Sequence, residues 1–265
     1  MKISQNEPRE FEPGYNEIIS KEEHQDILMD FGILKLNKDQ VEVNNEDLER
    51  IYLIIKGDVL LSWNDQEVTV ERPTFTDDGP WALHVPPKLE VKLTGVSDET
   101  EISVHKTEND KTFGAKLYTP EDCVIEKRGK GTMNGTGTRI VRTILDKSLA
   151  PENSKFMLGE DVHYPGKWAG FPSHYHPQPE IYFYKFEPEN GFGLLKLGDE
   201  GILLEQNDTV KIAPNLSHPQ VAAPGYAMYF IWIIRHLDDN PYIEPIYEPE
   251  HEWVTSDDAK IWPEK

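Results

Sequence analysis

The amino-acid sequence predicts an all-β protein made of two sandwich or barrel domains of similar size. Three observations carry this expectation. Short segments rich in β-branched and aromatic residues recur along the chain, many alternating polar and apolar side chains with a period of two. Gly, Pro, Asn and Asp separate these segments at nearly regular intervals. No long stretch carries the apolar spacing of a helix.

In chain order, residues 27–36 admit one early helical turn and nothing longer. Residues 51–56 read as a strand ending at a Gly57-Asp58 turn, and residues 59–63 as the next strand. Asn64-Asp65 makes a further turn, after which residues 67–71, 89–94 and 101–105 alternate polar and apolar. In the second half, residues 139–145, 180–186, 192–197, 201–205, 209–213 and 226–234 read as strands. Between the two sets lies a glycine-rich stretch, residues 128–138, which places a boundary between domains 1–124 and 125–265. It reads as a linker or as a flap over a site, and linker is the commoner outcome for a long loop.

Composition narrows the function. The chain has 48 acidic against 27 basic residues, a formal net charge of −21 that argues against nucleic acid or an anionic membrane as partner. Six Trp, eleven Tyr and ten Phe exclude a disordered acidic chain, which is poor in aromatics. The lone Cys123 excludes a disulfide framework and any Cys-rich zinc module. The first residues lack the apolar core of a secretory signal, and the longest apolar run, residues 226–234, is too short to span a membrane. The expectation is a soluble, cytoplasmic protein.

One segment concentrates the chemistry: Pro172-Ser-His174-Tyr-His176-Pro-Gln-Pro-Glu180-Ile-Tyr182-Phe-Tyr184. His174 and His176 are two apart, so on an extended strand both imidazoles point to one face. Glu180 opens the next strand after a proline-rich turn, and His218 follows the strand at 209–213. Three imidazoles and one carboxylate suit a divalent ion such as Zn, Mn, Fe, Ni or Co, with positions left for water or substrate. A closed structural zinc site more often uses Cys. The competing reading of a His pair alone is a solvated strand or a core rim, and the addition of Glu180 and His218 outweighs it.

These residues resemble the cupin motifs. Gly166, His174, His176, Glu180 and Gly191 follow the first, and Asp208, Pro214 and His218 the second, with Asp208 and Leu216 standing where that motif has glycine. Further matches follow in order: residues 125–129, Arg139 through Ile144-Leu145, Gly159-Glu160, Pro165-Gly166 with Trp168, His218-Pro219, residues 224–226 and residues 250–253. Over about residues 125–254 the chain is similar to the 5-deoxy-glucuronate isomerase family of inositol catabolism, and more distantly to the 5-keto-4-deoxyuronate isomerases of pectin breakdown. The short gap between His176 and Glu180 is shared with the second group.

The resemblance implies a bicupin of two double-stranded β-helix barrels. The first would have lost its ligands, since residues 44–47 lack a His pair and Pro86-Pro87 is not followed by His. It implies isomerisation of 5-deoxy-glucuronate to 2-deoxy-5-keto-gluconate, a small sugar-acid substrate, one divalent ion, and homo-oligomers paired through barrel edges. Such chemistry asks for a Lewis acid at the C1 carbonyl, a group that moves a proton between C2 and C1, and a partner for the carboxylate. Tyr182 and Tyr184 share the parity of Glu180 and are candidates for the second task, as is Glu160; plain barrel filling and a solvated carboxylate are the respective alternatives. Arg142, Arg235 and Lys167 are candidates for the third, against structural ion pairs among 48 acids. Two other functions compete: an Fe(II) dioxygenase, which uses the same ligands, and a non-enzymatic sugar-binding bicupin, disfavoured because storage cupins tend to lose the ligands that are all present here.

Overall fold

The structure, a computed structural model, describes residues 1–3, 10–256 and 258–263. Two β units are present. One comprises Glu10–Val124 with Ile144–Met157, the other Met1–Arg9, Ile125–Thr143 and Leu158–Lys265.

The second unit has a seven-stranded sheet in the order Lys2–Ile3, Thr209–Ile212, Glu180–Glu187, Ala227–Arg235, Phe156–His163, Arg139–Leu145, Val124–Arg128. A four-stranded sheet, Trp168–Ala169, Gln220–Ala222, Phe192–Leu197 and Glu200–Glu205, supplies the other layer. Antiparallel register pairs Glu180 with Ile234, Tyr182 with Trp232, Tyr184 with Phe230 and Phe186 with Met228. Because side chains alternate across a strand, these even-numbered residues share one face. That face meets Leu195, Leu197, Leu204 and Ala222 of the smaller sheet in one apolar core. Each such fully buried side chain contributes roughly 1.5–3 kcal/mol. A two-stranded pair, His174–Tyr175 with Ile246–Tyr247, brings the chain's last segment against the first histidine of the motif.

The first unit differs from the sequence reading in two places. Gly57-Asp58 is not a turn: Glu49–Trp63 is one strand of 15 residues that bends there and passes between pairing partners. Gly57 has φ of 96°, and a Cβ at this position would lie 2.6 Å from Thr100 Oγ1, so glycine supplies a bend rather than a chain reversal. Nor do residues 27–36 hold a helical turn. Asp30–Leu36 is a strand between Gly14–Ile19 and Thr100–Thr107, buried on both faces, which is why its apolar residues run continuously instead of alternating.

The two units use matching topology to opposite ends. Glu49–Trp63 lies between Trp81–Val85 and Thr100–Thr107, as Glu180–Glu187 lies between Thr209–Ile212 and Ala227–Arg235. Arg50 pairs with Val85 and Lys106, and Glu180 with Ile212 and Ile234, so Arg50 holds the register position of Glu180. Its buried guanidinium donates to the carbonyls of Asn44 (3.0 Å), Leu48 (3.1 Å), Pro86 (3.2 Å) and Leu89 (2.6 Å). A fixed cation thus closes this barrel end. Beside it, buried Glu49 accepts from Ser154 Oγ (2.7 Å) and Asn109 Nδ2 (2.7 Å) and contacts His84 Nε2 at 2.8 Å. Burial would raise the Glu49 pKa, but these partners outweigh it and hold the carboxylate below its usual range.

Candidate metal centre

Glu180 begins its strand on the core face, and Pro177 and Pro179 on either side of Gln178 turn the chain so that His176 reaches back over it. His176 Nε2 lies 3.1 Å from Glu180 Oε2, and His218 Nε2 lies 3.4 Å from the same oxygen. All three residues are buried, and their ligand atoms lie within 4.8 Å of one another, so this trio could hold a metal ion. His174 stands one step outside it, half-buried, with its ring centroid 5.0 Å from that of His218.

Backbone carbonyls set the tautomer of each imidazole. His174 Nδ1 lies 3.1 Å from the Pro172 carbonyl, His176 Nδ1 2.9 Å from that of Gln178, and His218 Nδ1 2.8 Å from that of Leu216. A carbonyl only accepts, so each Nδ1 donates its proton and each ring turns Nε2 towards the cluster. Burial, the largest influence, pushes the His174 and His218 pKa down to about 4, so both rings are neutral at pH 7. The Nε2 atoms of His176 and His218 thus turn to one oxygen of the Glu180 carboxylate. Two imidazole nitrogens and a carboxylate oxygen converging in a buried setting form a donor set that fits a divalent metal, with the carbonyls behind the rings fixing their orientation.

The two tyrosines separate. Tyr184 donates to Gln220 Oε1 at 2.6 Å, inside the barrel. Tyr182 has its ring 5.6 Å from that of His218, and its hydroxyl has no hydrogen-bond partner among the described residues. Burial and then the Glu180 charge raise its pKa well above 10, so it keeps its proton.

Glu160 and Arg142 meet each other. Arg142 Nη1 donates to Glu160 Oε1 at 2.8 Å, and the Tyr229 hydroxyl to Glu160 Oε2 at 2.6 Å. Tyr229 has the parity opposite to Met228 and Phe230, so this buried pair occupies the sheet face away from the metal centre. Arg235 turns to Asp238 Oδ1 (3.0 Å) and to the His236 carbonyl. Lys167 sits in the turn before Trp168, and no hydrogen bond of its ammonium joins it to the cluster among the described residues.

Residues outside the named site candidates line the core face instead, among them His163, which the sequence offers either as a neighbour of the site or as a solvated loop histidine and which is buried. Asp161 Oδ1 accepts the Trp232 indole N–H at 3.0 Å, and Asp161 Oδ2 accepts Arg139 Nε at 2.9 Å. Burial raises the Asp161 pKa against the pull of Arg139. His163, on the same face, stands edge-on to Phe230 at 5.3 Å and is held neutral by burial, its pKa pushed down to about 3. From the last segment, Tyr242 brings its ring 5.0 Å from that of His176, and Tyr247 5.7 Å from that of His174. Period-two alternation could have grouped residues 139, 161 and 163, but it takes their tertiary contacts, Asp161 with Trp232, His163 with Phe230 and Gly159 closely approached by Trp232, to mark their face as inward.

A family model matches residues 6–254, the KduI/IolB family. The chain belongs to the KduI/IolB family. Curated relatives include proteins named 5-deoxy-glucuronate isomerase from Geobacillus kaustophilus, 26% identical over 84% of each chain, and Geobacillus thermodenitrificans, 24% identical over 84% of this chain and 85% of that one. Among solved structures, an IolB-like protein from Salmonella typhimurium LT2 superposes with a TM-score of 0.83 at 21% identity, covering 93% of this chain and 97% of that one. A Bacillus subtilis oxalate decarboxylase reaches 0.62 at 11% identity over 90% of this chain and 76% of its own. The fold is a bicupin, and the His176–Glu180–His218 cluster lies in the C-terminal cupin of this KduI/IolB member. No helix among the described residues is long and apolar enough to cross a membrane.

Proposed function

We propose that this KduI/IolB chain is a divalent-metal-dependent aldose–ketose isomerase that converts 5-deoxy-glucuronate to 2-deoxy-5-keto-gluconate. One observation supports the reading above the rest: two imidazoles held at Nδ1 by backbone carbonyls direct their Nε2 atoms at the Glu180 carboxylate in a buried cluster. His176, Glu180 and His218 would hold the ion, with His174 closing on it as the fourth ligand. When bound, such an ion polarises the substrate's carbonyl and acidifies the neighbouring carbon.

The chain's own groups supply the remainder. Tyr182, protonated and unpaired beside His218, is placed to donate a hydrogen bond to a sugar oxygen. Tyr184, tied to Gln220, fills the barrel. Tyr242 and Tyr247 stand over the histidines and limit water access. Glu160 and Arg142 are assigned to holding the sheet, because their mutual bond lies on its other face.

The relatives' names favour 5-deoxy-glucuronate over 5-keto-4-deoxyuronate as substrate. NMR of the purified protein with each sugar acid, under argon, with and without chelator, tests the reading. The expected result is turnover of 5-deoxy-glucuronate that chelation abolishes and zinc or manganese restores. Turnover of neither sugar under argon, or turnover that appears only when oxygen is admitted, refutes it.

A further inference from the structure

We propose that Arg139 is the group that takes the substrate's carboxylate, an inference that rests on the sugar-acid reading above. Among the arginines considered, Arg142 is spent on Glu160 across the sheet and Arg235 on Asp238 and a carbonyl. Arg139 opens the strand Arg139–Leu145 and lies on the core face, since its partner Asp161 also bonds Trp232.

The guanidinium is held by one edge and open at the other. Nε donates to Asp161 Oδ2 at 2.9 Å and Nη1 to the Gly137 carbonyl at 3.1 Å. Of five N–H groups, the second on Nη1 and both on Nη2 make no hydrogen bond among the described residues. That free edge is the fork a carboxylate accepts in bidentate fashion. The side chain is 16% exposed, so it is partly desolvated and still reachable.

Asp161 does not cancel the site. It engages the Nε edge from behind, is almost fully buried and accepts from Trp232 as well, so it orients the guanidinium and leaves the outer edge to a ligand. Trp232, which bonds Asp161, pairs across the strands with Tyr182, whose ring lies 5.6 Å from that of His218, so the Arg139–Asp161 pair stands on the side of the His–Glu cluster. A uronate bound by its carbonyl end at the cluster has its acid group at the far end of the carbon chain. A fixed cation set back from the metal, on the same face, matches that polarity.

The test uses the zinc-loaded full chain with Arg139→Gln and Arg139→Lys, and compares 5-deoxy-glucuronate with its uncharged methyl ester in kinetics and calorimetry. Arg139→Gln should raise KM and Kd for the acid about 10- to 100-fold while leaving the ester within about twofold, since loss of a bidentate ionic contact is worth that factor. Arg139→Lys should recover part of the loss. Equal KM for the acid in wild type and Arg139→Gln, or equal losses for acid and ester, overturns the assignment and leaves the isomerase reading standing. Acid binding that depends on Arg139 without any turnover by wild type supports the assignment and refutes the isomerase reading. Should Arg139→Gln fold poorly, Asp161→Asn keeps the arginine but frees its anchor, and a smaller, acid-selective rise in Kd is expected; equal effects on acid and ester again overturn the assignment.

Discussion

Gly159→Ala is the most economical test of how the inward face is built. A Cβ at Gly159 would lie 2.1 Å from Trp232 Cζ2, 2.5 Å from Cε2 and 2.7 Å from the Arg142 carbonyl oxygen. Carbon atoms sit at about 3.5–4.0 Å in ordinary contact, so the indole must move by more than an ångström. Backbone on the Arg142 side cannot yield equally. Overpacking of this kind costs about 1–3 kcal/mol. Displacing the indole also breaks its 3.0 Å bond to the buried Asp161 carboxylate, worth about 1.5–3 kcal/mol. Because Gly159 does not have positive φ, alanine regains up to about 1 kcal/mol through the unfolded chain. The net expectation is a loss of about 2–5 kcal/mol in urea unfolding followed by circular dichroism. In a Trp232→Leu background the methyl has room, and the same substitution should cost less than about 1 kcal/mol, a coupling typical of residues in contact. Additive effects in this cycle, or a stable Gly159→Ala single variant, would show that Trp232 does not pack on position 159 and would remove the argument for which residues face inward.

Four further outcomes are expected. Glu180→Gln and His218→Ala should each cut bound zinc after dialysis from one equivalent to below about a tenth, read by elemental analysis; retention of metal by both would refute the proposed centre. Glu49→Ala strands the donors of Ser154, Asn109 and the Lys155 N–H in a buried setting and should cost about 3–5 kcal/mol in chemical denaturation; a loss under 1 kcal/mol would show that this cluster is hydrated. His105 is fully buried and neutral, its pKa pushed by burial from 6.5 to about 3. Below pH 6.5 the unfolded chain takes up a proton that the folded chain refuses, so stability falls as pH drops towards 3, by up to about 1.4 kcal/mol per pH unit. His105→Phe, set against Phe31, should flatten the stability profile between pH 4 and 6 by that amount, and an unchanged slope contradicts the assignment. Gly57→Val meets both Thr100 and a φ of 96°, and should lower stability by more than about 2 kcal/mol, whereas neutrality would mean the bend is not required.

Much of the fold is written locally. The strands over 180–187, 192–197 and 200–205 follow from alternation and turn residues because a half-buried strand needs only its own pattern to expose one face and hide the other. Where both faces are covered that pattern vanishes, and Asp30–Leu36 was legible only as an apolar run without a period. The bend at Gly57 eluded local reading for a different reason. Glycine with positive φ serves a turn and a bulge alike, and which one forms depends on Thr100, 43 positions away.

The candidate site divides along the same line. By itself the sequence determined which residue types could serve a metal and that Glu180, Tyr182 and Tyr184 share a face, since parity along one strand is a local property. It left undecided which face of the neighbouring strands points inward. Arg142 and Arg139, or Glu160 and Asp161, differ by an odd number of positions, and either set could have faced the centre. Only tertiary structure chose, through the contact of Gly159 with Trp232, which turns Asp161 and Arg139 towards the face of the His–Glu cluster and sends Glu160 and Arg142 to the other face. Tyr247 arrives beside His174 by a strand pairing across more than seventy residues of sequence, and Tyr242 of the same segment meets His176; no periodicity encodes either contact. Alternation specifies sides relative to one another; packing against a distant partner specifies which side is inside.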